Sequence, residues 1–118
     1  MEQAVALEKA YGIVKWLMER AARFPKNKRY SLGARIEDLA LDILMGLVEA
    51  NYSRDKAELL NRVNMDLDKM RFLARLCQDF RLFSNRQYEY ISKELNELGR
   101  QAGGWRKAVA KKQPAPKD

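Results

Sequence analysis

The 118 residues specify an all-α chain folded as an antiparallel, up-down-up-down four-helix bundle. Three observations lead there: four segments in which apolar residues recur at alternating spacings of three and four, short polar connections between segments, and only three prolines to interrupt a helix. The three-four alternation is the period of one helical face, and a short link between two such helices makes them antiparallel neighbours.

In the first segment, from about Gln3 to Arg23, the expected buried stripe is Leu7, Tyr11, Val14, Met18 and Ala21. A longer connection, Phe24 to Tyr30 with Pro25 inside it, leads to the second, Ser31 to Asn51, whose stripe is Leu32, Ile36, Leu39, Ile43, Leu47 and Ala50. The third runs from about Arg54 to Phe80, with Ser53 as its expected N-cap and Val63, Leu67, Met70, Ala74 and Cys77 as its seam. The fourth, about Asn85 to Ala110, has the longest seam: Tyr88, Ile91, Leu95, Leu98, Ala102, Trp105 and Val109. Ser84 and Gln87 have the spacing of a capping box, and Phe83 and Tyr88 that of a hydrophobic staple. Gly103-Gly104 is expected to kink or fray the last turns, since each glycine costs about 1 kcal/mol relative to alanine. One domain over residues 1–112 results, and the Pro-Ala-Pro-Lys-Asp end, within 113–118, reads as a disordered tail.

Two segments carry more apolar surface than a monomeric bundle needs. Between Leu39 and Val48 only Asp42 is charged, and Met65, Phe72, Leu76 and Phe83 lie largely off the third seam. A helix apolar on two sides is buried on two sides, so self-association is expected.

Twenty-three Lys and Arg against sixteen Asp and Glu give a net charge of +7, which favours anionic partners. With no histidine and one cysteine, the chain lacks the commonest general base and metal ligand and any internal disulfide or Cys-cluster zinc site. Glu37, Asp38 and Asp42 cannot complete the Glu-x-x-His pattern of di-iron bundles. These absences point to binding rather than catalysis, with no cofactor and no metal. No apolar run approaches the ~20 residues of a spanning helix, and Met1 to Ala10 has two acids and no basic n-region, so a soluble, cytoplasmic chain is expected.

The strongest charge feature is Arg20, Arg23, Lys26, Lys28, Arg29 and Arg35, a stretch without one acid. The N–H groups at the start of the second helix are expected to face the same loop, which would favour phosphate there a second time. Antiparallel topology brings Arg81 and Arg86 to the same end. On the fourth helix Arg86, Lys93, Arg100 and Lys107 recur every seven residues, and from Arg100 onward Arg106, Lys107 and Lys111 continue without an acid. Glu89 and Glu97 make the first half an ordinary solvated face; the second half is the better phosphate contact. Trp105 sits on the seam and is read as core rather than as a base-stacking group. Arg71 and Arg75 are read as pairing along their own helix with Asp68 and Asp79, and Cys77 as packing.

The run Phe24-Pro25-Lys26 through Arg29, followed by Leu32-Gly33, Arg35-Ile36, Ala40 to Leu44 and Val48-Glu49-Ala50, resembles the four-helix-bundle family of the accessory variability determinants of diversity-generating retroelements. Asn51 to Lys56, Arg71-Phe72-Leu73, Arg75-Leu76, Leu98-Gly99-Arg100 and Gly103-Gly104-Trp105 extend the resemblance over nearly the whole chain. It implies a homopentameric ring that binds RNA and DNA and associates with the retroelement's reverse transcriptase during mutagenic cDNA synthesis and retrohoming. Two other readings stand beside it: the related bundles encoded in ribosomal-RNA intervening sequences, and a basic scaffold that docks an acidic protein.

Overall fold

Four long helices form where the three-four spacing places them. The computed structural model describes residues 2–112; the tail expected at 113–118 lies outside the described residues. The elements are α1 (Glu2–Ala21), a short α2 (Lys26–Lys28), a π-helical turn (Arg29–Gly33), α3 (Ala34–Tyr52), α4 (Lys56–Asp79) and α5 (Asn85–Lys112). Among the described residues there is no strand. α1 packs on α3 and α5, and α4 packs on the same two, so the long helices occupy the corners of a square in chain order. The bundle measures 54 × 24 × 23 Å.

The seams of α3, α4 and α5 close the core as expected, with Ile36, Leu47, Leu67, Met70, Leu95 and Leu98 sealed from solvent. That of α1 is rotated. Ala6, Ala10, Ile13, Val14, Leu17 and Ala21 face inward, while Tyr11 is 63% exposed and Met18 lies at the surface. Two stripes on this helix satisfy the three-four rule, and the inward one carries the small alanines that let neighbouring backbones approach. The phenol of Tyr11 keeps its hydroxyl in water. Phe83 is also corrected: it is buried, its ring 5.4 Å from that of Trp16 and 5.9 Å from that of Phe24.

The capping box is present: Gln87 N–H donates to Ser84 Oγ (3.1 Å) and Ser84 N–H to Gln87 Oε1 (2.9 Å). Ser53 does not cap α4. Its hydroxyl accepts the N–H of Asp55 (3.0 Å), the residue that occupies the N-cap position without a side-chain cap bond. Lys56 instead closes the preceding helix, its Nζ donating to the carbonyls of Ala50 (2.7 Å) and Asn51 (3.2 Å). α4 ends in a Schellman turn, in which the N–H of Leu82 reaches Cys77 O (2.7 Å) and that of Arg81 reaches Gln78 O (2.9 Å), with Arg81 at φ 59°. Gly103 and Gly104 neither kink nor end α5, which continues to Lys112. The buried indole of Trp105, 4% exposed, and the half-buried Val109 hold those turns against the bundle and outweigh the glycine penalty.

Candidate nucleic-acid interface

One end of the bundle gathers the turn from α1 to α3 and the turn from α4 to α5. After α1 the chain folds back through Phe24 N–H to Ala21 O (3.1 Å), and the buried Phe24 ring packs on Phe83 of the other turn. Pro25 O then accepts from Lys28 N–H (2.8 Å) and Arg29 N–H (2.9 Å), which starts the helical backbone at Lys26. Ala34 N–H reaches back to Arg29 O, closing the π turn. Gly33 is buried there, and a Cβ would lie 3.3 Å from the Phe24 ring and 3.4 Å from Lys28 O, so a larger residue would require the Phe24 ring to give by a few tenths of an ångström.

This geometry moves the expected anion-favouring helix end. The backbone is helical from Lys26 to Tyr52 without a break, so the donors near Ser31 and Ala34 already face carbonyls of the preceding turn. Side chains, rather than helix-end N–H groups at Ser31, make this end positive. Arg23, Lys26, Arg29 and Arg35 are exposed or partly so. Arg20 is half-buried, its guanidinium 6.0 Å from the Trp16 ring centre, and Lys28 is half-buried with Nζ 4.7 Å from that of Phe80. Among the described residues none of the six is in a salt bridge. Arg81 and Arg86, exposed on the second turn, join them as expected.

The second candidate group does not join the first. Arg100, Arg106, Lys107 and Lys111 lie along α5 toward its far end, where Lys112 shares a hollow with Gln3, Asn51 and Lys56. Arg100 is already engaged with the carboxylate of Glu97, whose hydrogen bond to Arg100 holds that acid below the ordinary carboxylate range. Arg106 is half-buried, with its Nε enclosed and unpartnered, while Lys107 and Lys111 are exposed.

Other charged groups have structural roles. Arg71 pairs with Asp68 as expected (2.5 Å) but also donates to Asn96 Oδ1 (3.1 Å), tying α4 to α5. No such pair joins Arg75 to Asp79 among the described residues. Lys9 and Glu94 link α1 to α5 (3.1 Å). In the groove between α3 and α4, Arg35 and Lys69 share a hollow with Asp38, Asp42 and Asp66. Burial raises the carboxyl of Asp66, the nearby charge of Asp42 adds to this, and Lys69 opposes it. These acids bound the positive surface on that side. Burial pushes the Cys77 thiol up to about 12, in keeping with its packing role.

Sequence reading missed Phe80 as a companion of Lys28. Its signal was weak: Phe80 follows Leu76 by four residues on the side of the helix away from the seam.

A family model described as bAvd-like matches residues 4–109. The chain belongs to the bAvd-like family. The match spans all four long helices and both basic groups except Lys111. At the level of the family, this bAvd-like chain is an accessory protein of the diversity-generating retroelement type. A search of the curated proteins finds no match. Among the described residues, no helix of this bAvd-like bundle is long and apolar enough to cross a membrane, and no three His, Cys, Asp or Glu side chains are grouped to hold a metal ion.

Proposed function

We propose that the chain is a non-catalytic accessory protein that binds RNA and DNA through its basic surfaces and associates with a reverse transcriptase, supporting mutagenic cDNA synthesis and retrohoming. In this reading it works in the cytoplasm as a homo-oligomer, a pentamer as the family resemblance implies. The observation that carries nucleic-acid binding is the end of the bundle where Arg20, Arg23, Lys26, Lys28, Arg29 and Arg35 lie without an intervening acid or, among the described residues, an ion-pair partner. Cations left unneutralised by the protein are available to phosphate, and each phosphate they meet releases condensed counterions.

Lys26, Lys28 and Arg29 are on one turn, and none supports the core, so they can be replaced together by glutamate without loss of helix. Mobility-shift titrations with a structured RNA over a range of salt test the reading. The parent chain should bind with an affinity that falls steeply with salt, and the K26E/K28E/R29E variant should lose binding while its circular dichroism is unchanged. Absence of a complex with the parent chain even at low salt would remove nucleic acid as the partner and favour an acidic protein instead.

A further inference from the structure

At the basic end, Lys28, Ser31, Leu32, Arg35, Leu76 and Phe80 line an open hollow of about 400 Å³. Its floor is apolar. Leu32 is half-buried, while Leu76 and Phe80 keep 42% and 53% of their surface in water. Its rim carries two cations and the Ser31 hydroxyl, and no acid lines it. An exposed benzyl ring beside unpaired cations is the arrangement that receives a flat, apolar ligand bearing negative charge.

We infer that this hollow is a stacking site for an unpaired nucleotide, with the base laid on Phe80 and its flanking phosphates held by Lys28 and Arg35. The inference rests on the nucleic-acid reading above and narrows its ligand to single-stranded segments, loops or bulges. A duplex keeps its base faces stacked on one another and offers only backbone here, whereas an unpaired base exposes a face.

The ammonium of Lys28 now lies over Phe80, and the magnitudes decide whether a base can take its place. A base stacked on an aromatic side chain contributes more than a cation–π contact at an exposed site. The exchange is favourable, because the displaced ammonium moves onto the incoming phosphate.

The test compares the full chain with Phe80→Leu and Phe80→Trp against two fluorescent probes, a short unstructured RNA and a blunt RNA duplex of the same length. Leucine preserves apolar bulk but has no π face, so it separates stacking from simple hydrophobic contact. Phe80→Leu should weaken single-strand binding by about 5- to 100-fold and leave duplex binding unchanged. Phe80→Trp should retain single-strand affinity and show indole quenching on RNA addition beyond that of Trp16 and Trp105 in the parent chain. Equal single-strand affinity for the parent and Phe80→Leu overturns the inference, as does an equal loss on both probes. If the parent chain binds these RNAs and K26E/K28E/R29E does not, the broader reading survives that failure. If the parent binds neither probe, both fall. Should Phe80→Leu fail to fold, the tryptophan variant decides: unquenched indole with RNA bound sinks the stacking site.

Discussion

Asp66 is the one charged side chain buried in the described core, and it illustrates how a single residue limits stability. Its carboxyl is raised chiefly by desolvation, then by Asp42, with Lys69 at 3.8 Å as the opposing charge. A folded-state pKa above the unfolded one means that the folded chain holds the proton more tightly. The ionised form is therefore destabilising above the folded pKa, and that penalty disappears as the pH falls below the unfolded value. Asp66→Asn, which keeps the shape and removes the charge, should raise the melting temperature at neutral pH. The gain should shrink as the pH is lowered toward the ordinary carboxylate range, because the parent acid then becomes neutral too. Thermal melts of both chains across that interval check the sign: a gain that grows on acidification would mean that Asp66 is held by its ion pair rather than penalised by burial. The sequence hid this residue. Asp66 follows Val63 by three and reads as an ordinary polar neighbour of the seam, and only packing against α3 brings Asp42 to it.

At the scale of the helix, glycines separate positions where backbone approach matters from positions where it does not. A Cβ on Gly46 of α3 would lie 2.8 Å from Val63 Cγ2 of α4, and the β-branched, buried Val63 has little freedom to turn away. Overpacking of this kind costs about 1–3 kcal/mol, more than the roughly 1 kcal/mol that alanine gains in helix propensity. Gly46→Ala should therefore destabilise the bundle by about 1 kcal/mol. A Cβ added at Gly103 or Gly104 would meet nothing within 4 Å, so the propensity gain stands alone there. Each substitution to alanine should stabilise by about 1 kcal/mol in denaturant unfolding. Equal effects at Gly46 and Gly103 would show that the α3–α4 contact is looser than its geometry. Period and capping chemistry made the four helices, the α5 capping box and three of the four seams legible. The rotated α1 seam was not, because its two stripes obey the same spacing and only tertiary packing chooses between them. Nor was the π turn, whose Arg29–Gly33 backbone depends on Phe24 seating under Gly33. The basic residues were legible as a string of charge, but the hollow joining Lys28 and Arg35 to Phe80 requires α4 to end beside them.

For the molecule as a whole, the outward face of α3 is one apolar surface that a single bundle leaves uncovered, beside Met65, Phe72 and Leu76 of α4. Leu41, Met45, Val48 and Tyr52 follow one another at spacings of four, three and four, opposite the buried stripe Ile36, Ala40, Ile43, Leu47 and Ala50. All four are exposed, with Met45 at 48% and Tyr52 at 83%. Scattered apolar residues are common on protein surfaces, whereas a continuous stripe along a helix offers a face that a second copy could cover. If copies join through it, Leu41→Gln, Met45→Gln and Val48→Gln together should yield a folded species of 13.8 kDa by light scattering, where the parent gives a multiple of that mass. A parent mass of 13.8 kDa would remove self-association from the reading. The same experiment reaches the charge. Each subunit adds +7, so an assembly would repeat the Arg20–Arg35 surface and, if that surface binds RNA as proposed, would offer it several such ends at once. Because affinity falls with salt in proportion to the phosphates neutralised, the monomeric variant should bind RNA more weakly and with a shallower salt dependence, although it loses none of its cations. A monomer that matched the parent in both slope and affinity would place the whole RNA contact within one bundle.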